Sequence, residues 1–322
     1  MNKAARPSQQ LWQDDFAIAV FEGLSRTPKS IPCRYFYDAR GSELFEQITD
    51  LPEYYPTRAE IALLEAHAPE MADLAGPGRC LIEFGSGSSR KTDILLRALP
   101  ALSAYVPVDI SATALADAAQ RLARQFPELR VWPLHGDFNG ALNINLPSAL
   151  SGAKRLGFFP GSTIGNFTQG EAVTFLRRAR TLLGKNSAFI VGADLEKDRN
   201  VLLRAYDDSA GVTAAFNLNL LRRINRDLDA DFDIAGFAHL ALYNEDAGCI
   251  EMHLQSLHPQ TVNVAGARFH FQAGETIHTE NSHKYTVAGF QAMAQAAGWD
   301  VRQVWTGPER LFSVHYLVPS GL

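Results

Sequence analysis

The sequence predicts an α/β fold: a doubly wound, mostly parallel sheet with a second, α+β lobe inserted into it. Three observations carry this. Apolar strands alternate with amphipathic helices from about Cys80 to Ala193. The first three of those strands run into a glycine or an acid. The alternation then stops near Leu195 and resumes near Tyr285.

The first strand lies in the run CLIEFGSGSSRKT, Cys80 to Thr92, with Leu81, Ile82 and Phe84 as its apolar residues. Gly85 and Gly87 allow a tight turn that approaches a ligand without a Cβ in the way. A helix from Thr92 to Leu99 follows, so the N–H groups of the turn and of the helix start face whatever binds there. Ala104 to Val108 is the second strand and ends in Asp109. Ser111 caps a helix over Ala112 to Phe126. Val131 to Leu134 is a third short strand, running into Gly136-Asp137-Phe138. Leu156 to Pro160 and Ser187 to Ala193 are the fourth and fifth strands. Between them Glu171 to Leu183 is an amphipathic helix closed by Gly184. At the far end, Val287 to Ala297 is helical and stops at Gly298, and Trp299 to Thr306 and Leu311 to Leu317 read as two strands.

The stretch between reads as helix over Val201 to Leu228 and then as β structure. Its strands are Ala238 to Tyr243, Cys249 to Leu257 and Val262 to Phe271, with a hairpin turn at Asn244 to Gly248. The expected organisation is therefore a core of residues 61–194 and 286–322, an inserted substrate-binding lobe over 195–285, and an N-terminal segment, 1–60, that serves as a lid or joins the lobe.

The glycine turn selects a cofactor class. A dinucleotide fingerprint needs a third glycine where Arg90 stands, and a P-loop needs a glycine before Lys91-Thr92. What remains is the E-x-G-x-G turn of S-adenosylmethionine enzymes, Glu83-Phe84-Gly85-Ser86-Gly87. Asp109, about 20 residues on, is placed to accept from both ribose hydroxyls. Asp137 can take the adenine amino group with Phe138 against the ring. Singly, each acid is as well explained as a surface cap. In this order they indicate a Rossmann-like class I methyltransferase sheet.

Composition narrows the function classes. The 322 residues are 46% hydrophobic and 20% charged, with a formal net charge of −5. No Lys/Arg cluster offers a nucleic-acid footprint. Cys33, Cys80 and Cys249 match neither a disulfide framework nor a zinc spacing, so a cytoplasmic protein without metal is expected. The N-terminus has no signal-peptide pattern. No apolar run approaches the ~20 residues needed to span a bilayer.

Three segments are too polar and aromatic for their surroundings. One is Arg34 to Ser42 (RYFYDARGS) with Leu51 to Arg58 (LPEYYPTR), whose tyrosines suit the wall of a binding site as well as a packed surface. The second is Gly161 to Phe167 (GSTIGNF), directly after the fourth strand, where acceptors sit in this fold class. It lacks the Asn/Asp-Pro-Pro-Tyr/Phe signature of base-methylating enzymes. Asn166 there reads either as a contact to a compact polar substrate or as a cap. The third is Thr279 to Tyr285 (TENSHKY). Glu280 and Ser282 alternate and so share a side of an extended chain. They can hydrogen-bond a flat N–H-bearing ring, or serve as a solvated acid and an N-cap. Nothing near His283 in the sequence makes a triad or a metal site, so it is read as non-catalytic.

Taken together, RYFYDARGSELFEQITDLPEYYPTRAE, EFGSGSSRKT, PVDIS, GDF and GSTIGNF resemble the ergothioneine-pathway L-histidine Nα-methyltransferases, to which the fungal dimethylallyltryptophan N-methyltransferases are distantly similar. The resemblance implies S-adenosylmethionine-dependent trimethylation of the α-amino group of L-histidine to hercynine. The alternative is another aromatic amino acid such as tryptophan or tyrosine. It implies that Glu83, Gly85, Ser86, Gly87, Lys91, Asp109, Asp137 and Phe138 serve the cofactor. Tyr54 would contact the imidazole side, Glu280 and Ser282 its nitrogens, and Asn166 and Tyr206 the substrate carboxylate. Tyr37 and Thr213 would lie nearby, with Met252 lining the ring. No general base is assigned. The expected partner is the small-molecule substrate alone, bound by a monomer away from nucleic acid and membrane.

Overall fold

A computed structural model describes residues 15–86, 90–110, 112–136, 150 and 152–321. In chain order the elements are α1 (Asp15–Ser25), β1 (Lys29–Ser30), α2 (Ala39–Thr49), α3 (Tyr55–Ala75), β2 (Cys80–Phe84), α4 (Arg90–Ala98), β3 (Ala104–Asp109), α5 (Ala112–Gln125), β4 (Leu134–His135), β5 (Arg155–Phe159), α6 (Gln169–Leu183) and β6 (Ala188–Asp194). They continue as α7 (Arg199–Tyr206), α8 (Val212–Asp227), β7 (Phe237–Asn244), β8 (Cys249–Ser256), β9 (Gln260–Val264), β10 (Ala267–Phe271), β11 (Thr276–His283), α9 (Val287–Ala296), β12 (Trp299–Thr306) and β13 (Phe312–Pro319). The chain forms two compact units, Tyr55–Lys197 with His283–Leu322, and Met1–Tyr54 with Asp198–Ser282.

The first of these units holds a sheet of order β12-β13-β6-β5-β2-β3-β4. β6, β5, β2, β3 and β4 run parallel. β13 is antiparallel to β6, and β12 to β13. This is the α/β sheet the sequence predicts. The central strands are continuously apolar because both faces are covered. On β2, Cys80, Ile82 and Phe84 enter one core with Phe159, Phe175 and Phe189, and Leu81 enters the other with Leu64, Tyr105 and Phe158. Each such fully buried side chain contributes roughly 1.5–3 kcal/mol. The capping box at Thr168 and Glu171 starts α6. The third strand is the main difference from expectation. Val131 makes only an isolated bridge to Tyr105, and regular pairing waits until Leu134 and His135.

The other unit holds a sheet of order β1-β11-β8-β7 and a separate β9–β10 hairpin. β1 joins it by parallel pairing of Lys29 with Ile277 and Ser30 with His278, so the N-terminal segment is integral to this sheet. Two elements differ from the sequence reading. The helix expected over Val201 to Leu228 is broken between α7 and α8, because the Asp208 carboxylate accepts from the N–H groups of Val212 and Thr213 at 2.9 and 2.7 Å and starts a new helix. The strand expected over Val262 to Phe271 is the β9–β10 hairpin, with Val264 facing Ala267 across its turn.

Candidate active site

Sequence and packing set the carboxyl end of the parallel strands. β2 and β3 end side by side, with Phe84 in register with Val108. Gly85 follows with φ of 74°, a left-handed conformation that a side chain would strain. Its N–H donates to the Val108 carbonyl at 2.8 Å. Ser86 is buried beside it, and Asp109 stands half-buried at the end of β3. Lys91, in the first turn of α4, pairs with the buried Glu60 carboxylate at 2.6 Å. Glu60 also accepts from the Gly161 N–H at 2.8 Å, so the loop after β5 is held next to Lys91. Gly87, Asp137 and Phe138 lie outside the described residues, as does Ser111.

Glu83 faces away from the turn. Its carboxyl accepts from the Thr92 hydroxyl at 2.7–2.8 Å and from the Tyr105 hydroxyl. Burial pushes it up to about 8, against the pull of those two hydroxyls and of Lys91. It is therefore mostly protonated at neutral pH, and it ties the start of α4 to β2 and β3.

The loop after β5 reaches Asn166 through a short 3-10 turn, Thr163–Asn166. Ser162 precedes it at φ 54°, and its Oγ accepts from the Asp194 N–H at 2.9 Å. Gly165 is required by close approach, since a Cβ there would lie 2.8 Å from the His283 carbonyl oxygen. The Tyr285 hydroxyl donates to the Ile164 carbonyl at 3.2 Å. Behind this loop the Asp194 carboxylate is fully buried. It accepts from the Tyr55 hydroxyl at 2.7 Å, from Lys197 at 2.6 Å and from Lys284 at 2.8 Å. Burial would raise its pKa, but Lys284 and Lys197 together hold it below the usual carboxylate range. Burial in turn lowers Lys197 to about 8.

The unit formed by the N-terminal segment and residues 198–282 gathers most of the residues expected to touch substrate. Tyr37 packs edge-on against Phe45 at 5.6 Å, Phe45 against Tyr54 at 6.4 Å, and Tyr54 against Tyr206 at 6.1 Å. The Tyr206 and Ser282 hydroxyls share a 2.6 Å hydrogen bond in a buried setting. Thr213 and Met252 are buried at 3% and 2% exposure, and Glu280 is half-buried on β11. The set is aromatic and hydroxyl-rich. Asn217 ties α8 to β8 and β11: its side chain donates to the His253 carbonyl at 3.0 Å and accepts from the Thr279 hydroxyl at 2.9 Å. Asp38 anchors the entry to α2, accepting from Gly41 N–H at 2.8 Å, Asn219 at 2.8 Å and Arg226 at 2.9 Å.

Sequence reasoning missed Phe45, Asp38, Asp208 and Asn217 here, and Glu60 and the Asp194 cluster in the other unit. Asp38 carried a usable signal, an N-cap residue three positions before Gly41. Asp208 carried another, four and five positions before the Val212 and Thr213 N–H groups it caps. Glu60, Asn217 and the Asp194 cluster depend on partners distant in sequence, for which a single chain offers no sign.

The residues present fit S-adenosylmethionine. A left-handed glycine bonded back to the neighbouring strand opens the backbone to a ligand, and Asp109 is an acceptor one strand away. No pyrophosphate cradle is needed, and none of the third-glycine type is encoded.

Comparison with known proteins agrees. The model of the family described as histidine-specific methyltransferase, SAM-dependent, matches residues 16–319. A histidine N-alpha-methyltransferase of Mycobacterium tuberculosis is 43% identical over 89% of this chain and 89% of its own length. One from Mycolicibacterium smegmatis is 41% identical over 93% of both. Ergothioneine biosynthesis protein 1 of Neurospora crassa is 31% identical over 91% of this chain, which spans 33% of that longer protein.

Proposed function

The chain belongs to the SAM-dependent histidine-specific methyltransferase family, and from that premise we propose that it methylates the α-amino group of L-histidine three times to give hercynine. The observation that carries this is the 43% identity to a histidine N-alpha-methyltransferase across nearly the whole of both chains. Methylation of tryptophan or tyrosine instead is not favoured.

The bound cofactor supplies a methyl group already activated on a sulfonium. The protein's task is then positioning, which is worth up to ~7–11 kcal/mol in well-oriented systems. Gly85, Ser86, Lys91 and Asp109, with Glu83 bracing the turn from behind, are the proposed cofactor residues, joined by Gly87, Asp137 and Phe138 from the sequence. Tyr54 is proposed against the imidazole, with Glu280 and Ser282 hydrogen-bonding its nitrogens and Met252 lining the ring. Asn166 and Tyr206 are proposed for the carboxylate, with Tyr37 and Thr213 nearby. The Tyr206–Ser282 hydrogen bond supports this reading, since two buried hydroxyls that satisfy each other can exchange that bond for polar groups of a substrate without being left unpaired. Glu280 is the proposed discriminator. An indole has one N–H and no acceptor nitrogen, so it cannot satisfy both a carboxylate and a hydroxyl.

The test is mass spectrometry of products formed from S-adenosylmethionine and each of the twenty amino acids in turn. Gains of one to three methyls on histidine alone are expected. Methylation of tryptophan or tyrosine in preference to histidine overturns the substrate assignment. Glu280→Ala is expected to raise KM for histidine by at least tenfold while cofactor binding by calorimetry stays unchanged.

A further inference from the structure

The face of the β7–β8–β11 sheet carries a second group of chemistry-bearing side chains that histidine methylation does not call on. Glu251 and His253 alternate on β8 and so share one face of the sheet. His278 lies on β11, the neighbouring strand. One carboxylate oxygen of Glu251 and one ring nitrogen from each histidine all fall within 4.8 Å of one another. The closest pair, His253 Nε2 and Glu251 Oε2, is 3.1 Å apart. Donors held by one zinc ion at about 2.0–2.2 Å in a tetrahedron stand roughly 3.4 Å apart, so small side-chain shifts complete the set.

Two further features go beyond chance proximity. The Asn244 side-chain amide donates to Glu251 Oε1 at 2.7 Å, leaving Oε2 directed at His253. Asn281 Oδ1 lies 3.0 Å from His278 Nε2 and fixes that ring. Such outer partners orient metal ligands and set their tautomers. The Nδ1 of His253 is buried and has no hydrogen-bond partner among the described residues. The three groups are partly exposed, with 24% for the Glu251 side chain and 12% for His253, so an ion has a way in. Strands rather than loops hold all three ligands, which favours a defined geometry.

We propose that Glu251, His253 and His278 form a binding site for a divalent transition ion of the zinc type, with two imidazoles and one carboxylate from the protein and a remaining position open to water. Two histidines with one carboxylate are a borderline-hard set suited to zinc rather than to magnesium or calcium, which prefer oxygen donors alone. The ion would cross-link β8 to β11, the strand that continues into Glu280 and Ser282.

The test titrates ZnCl2 into the untagged, chelator-treated full chain by calorimetry and follows unfolding with and without the ion. One equivalent is expected to bind with micromolar or tighter affinity and to raise Tm. His253→Ala and His278→Ala are each expected to abolish that binding, and Asn244→Ala to weaken it roughly 10–100-fold. Circular dichroism of each metal-free variant shows whether it is folded, and His278→Asn is the milder substitute if His278→Ala is not. No zinc binding, or binding that survives His253→Ala with His278→Ala, overturns the proposal. Because the readout is ion binding, it stands or falls independently of which amino acid is methylated.

Discussion

Glu83 on β2 and Asp194 at the end of β6 belong to the same parallel sheet and are equally sealed from solvent, at 1% and 0% exposure. Glu83 meets two neutral hydroxyls, from Thr92 and Tyr105, and burial carries its pKa up to about 8. Asp194 meets two ammonium groups and the Tyr55 hydroxyl, and its pKa falls. Burial depth is the same, so the partners decide the charge. A hydroxyl shares a proton's burden only in part, whereas a lysine offers a full opposite charge at 2.6–2.8 Å. The first carboxyl acts as an uncharged brace between β2, β3 and the start of α4, and the second as the hub of an ion cluster behind the Asn166 loop.

The largest expected effect comes from removing the hub. Asp194→Ala strands Lys197 and Lys284 with uncompensated buried charge, and a loss of roughly 3–5 kcal/mol is expected as a lower urea midpoint at unchanged slope. A loss under about 1 kcal/mol breaks the comparison, because the cluster would then not be an ion pair in water-free surroundings. The second effect is a pH dependence. The folded Glu83 pKa lies above the unfolded value, so the native state holds the extra proton between 4.5 and about 8. Its contribution to stability is fully present below 4.5 and is lost as pH rises through about 8. The slope cannot exceed about 1.4 kcal/mol per pH unit. Glu83→Gln is expected to flatten that decline in unfolding titrations across this range, and a decline identical to that of the parent chain would mean Glu83 is ionised after all. Smaller again, Tyr105→Phe removes one neutral donor and is expected to cost about 0.5–1.5 kcal/mol by denaturant unfolding. Smallest is Arg40→Ala, which breaks the pair with Glu43 at 2.9 Å on an exposed helix face. There water supplies the charge solvation, and a change of at most about 0.5 kcal/mol is expected in Tm-derived stability.

The same contrast explains what could be read in advance. Gly85, Asp109 and the helix and strands around them are local patterns, visible as an apolar strand, a glycine turn and an acid. The Thr168–Glu171 capping box is equally local. The Asp194 cluster is not: Tyr55 lies 139 positions from Asp194. Nor is β1, two residues long and stabilised by parallel pairing with β11. The break between α7 and α8 is legible, though the helix reading over Val201 to Leu228 passes over it. It falls on Asp207-Asp208-Ser209-Ala210-Gly211, mostly poor helix formers, where Gly211 turns at φ 71° and the Asp208 carboxylate takes the backbone N–H groups of Val212 and Thr213 to start the next helix.

Just past β6, Leu195 bridges to Tyr285, and the Glu196 N–H donates to the Tyr285 carbonyl at 3.0 Å. The stretch that follows β6 therefore leaves the parallel sheet's unit and returns to it beside its own point of departure. A segment tethered this way can lengthen, shorten or be exchanged at little entropic cost to its host, since closing a longer loop adds only slowly to the penalty. Exchanging such a segment re-threads no strand of the parallel sheet, whose order β6-β5-β2-β3-β4 is complete without it.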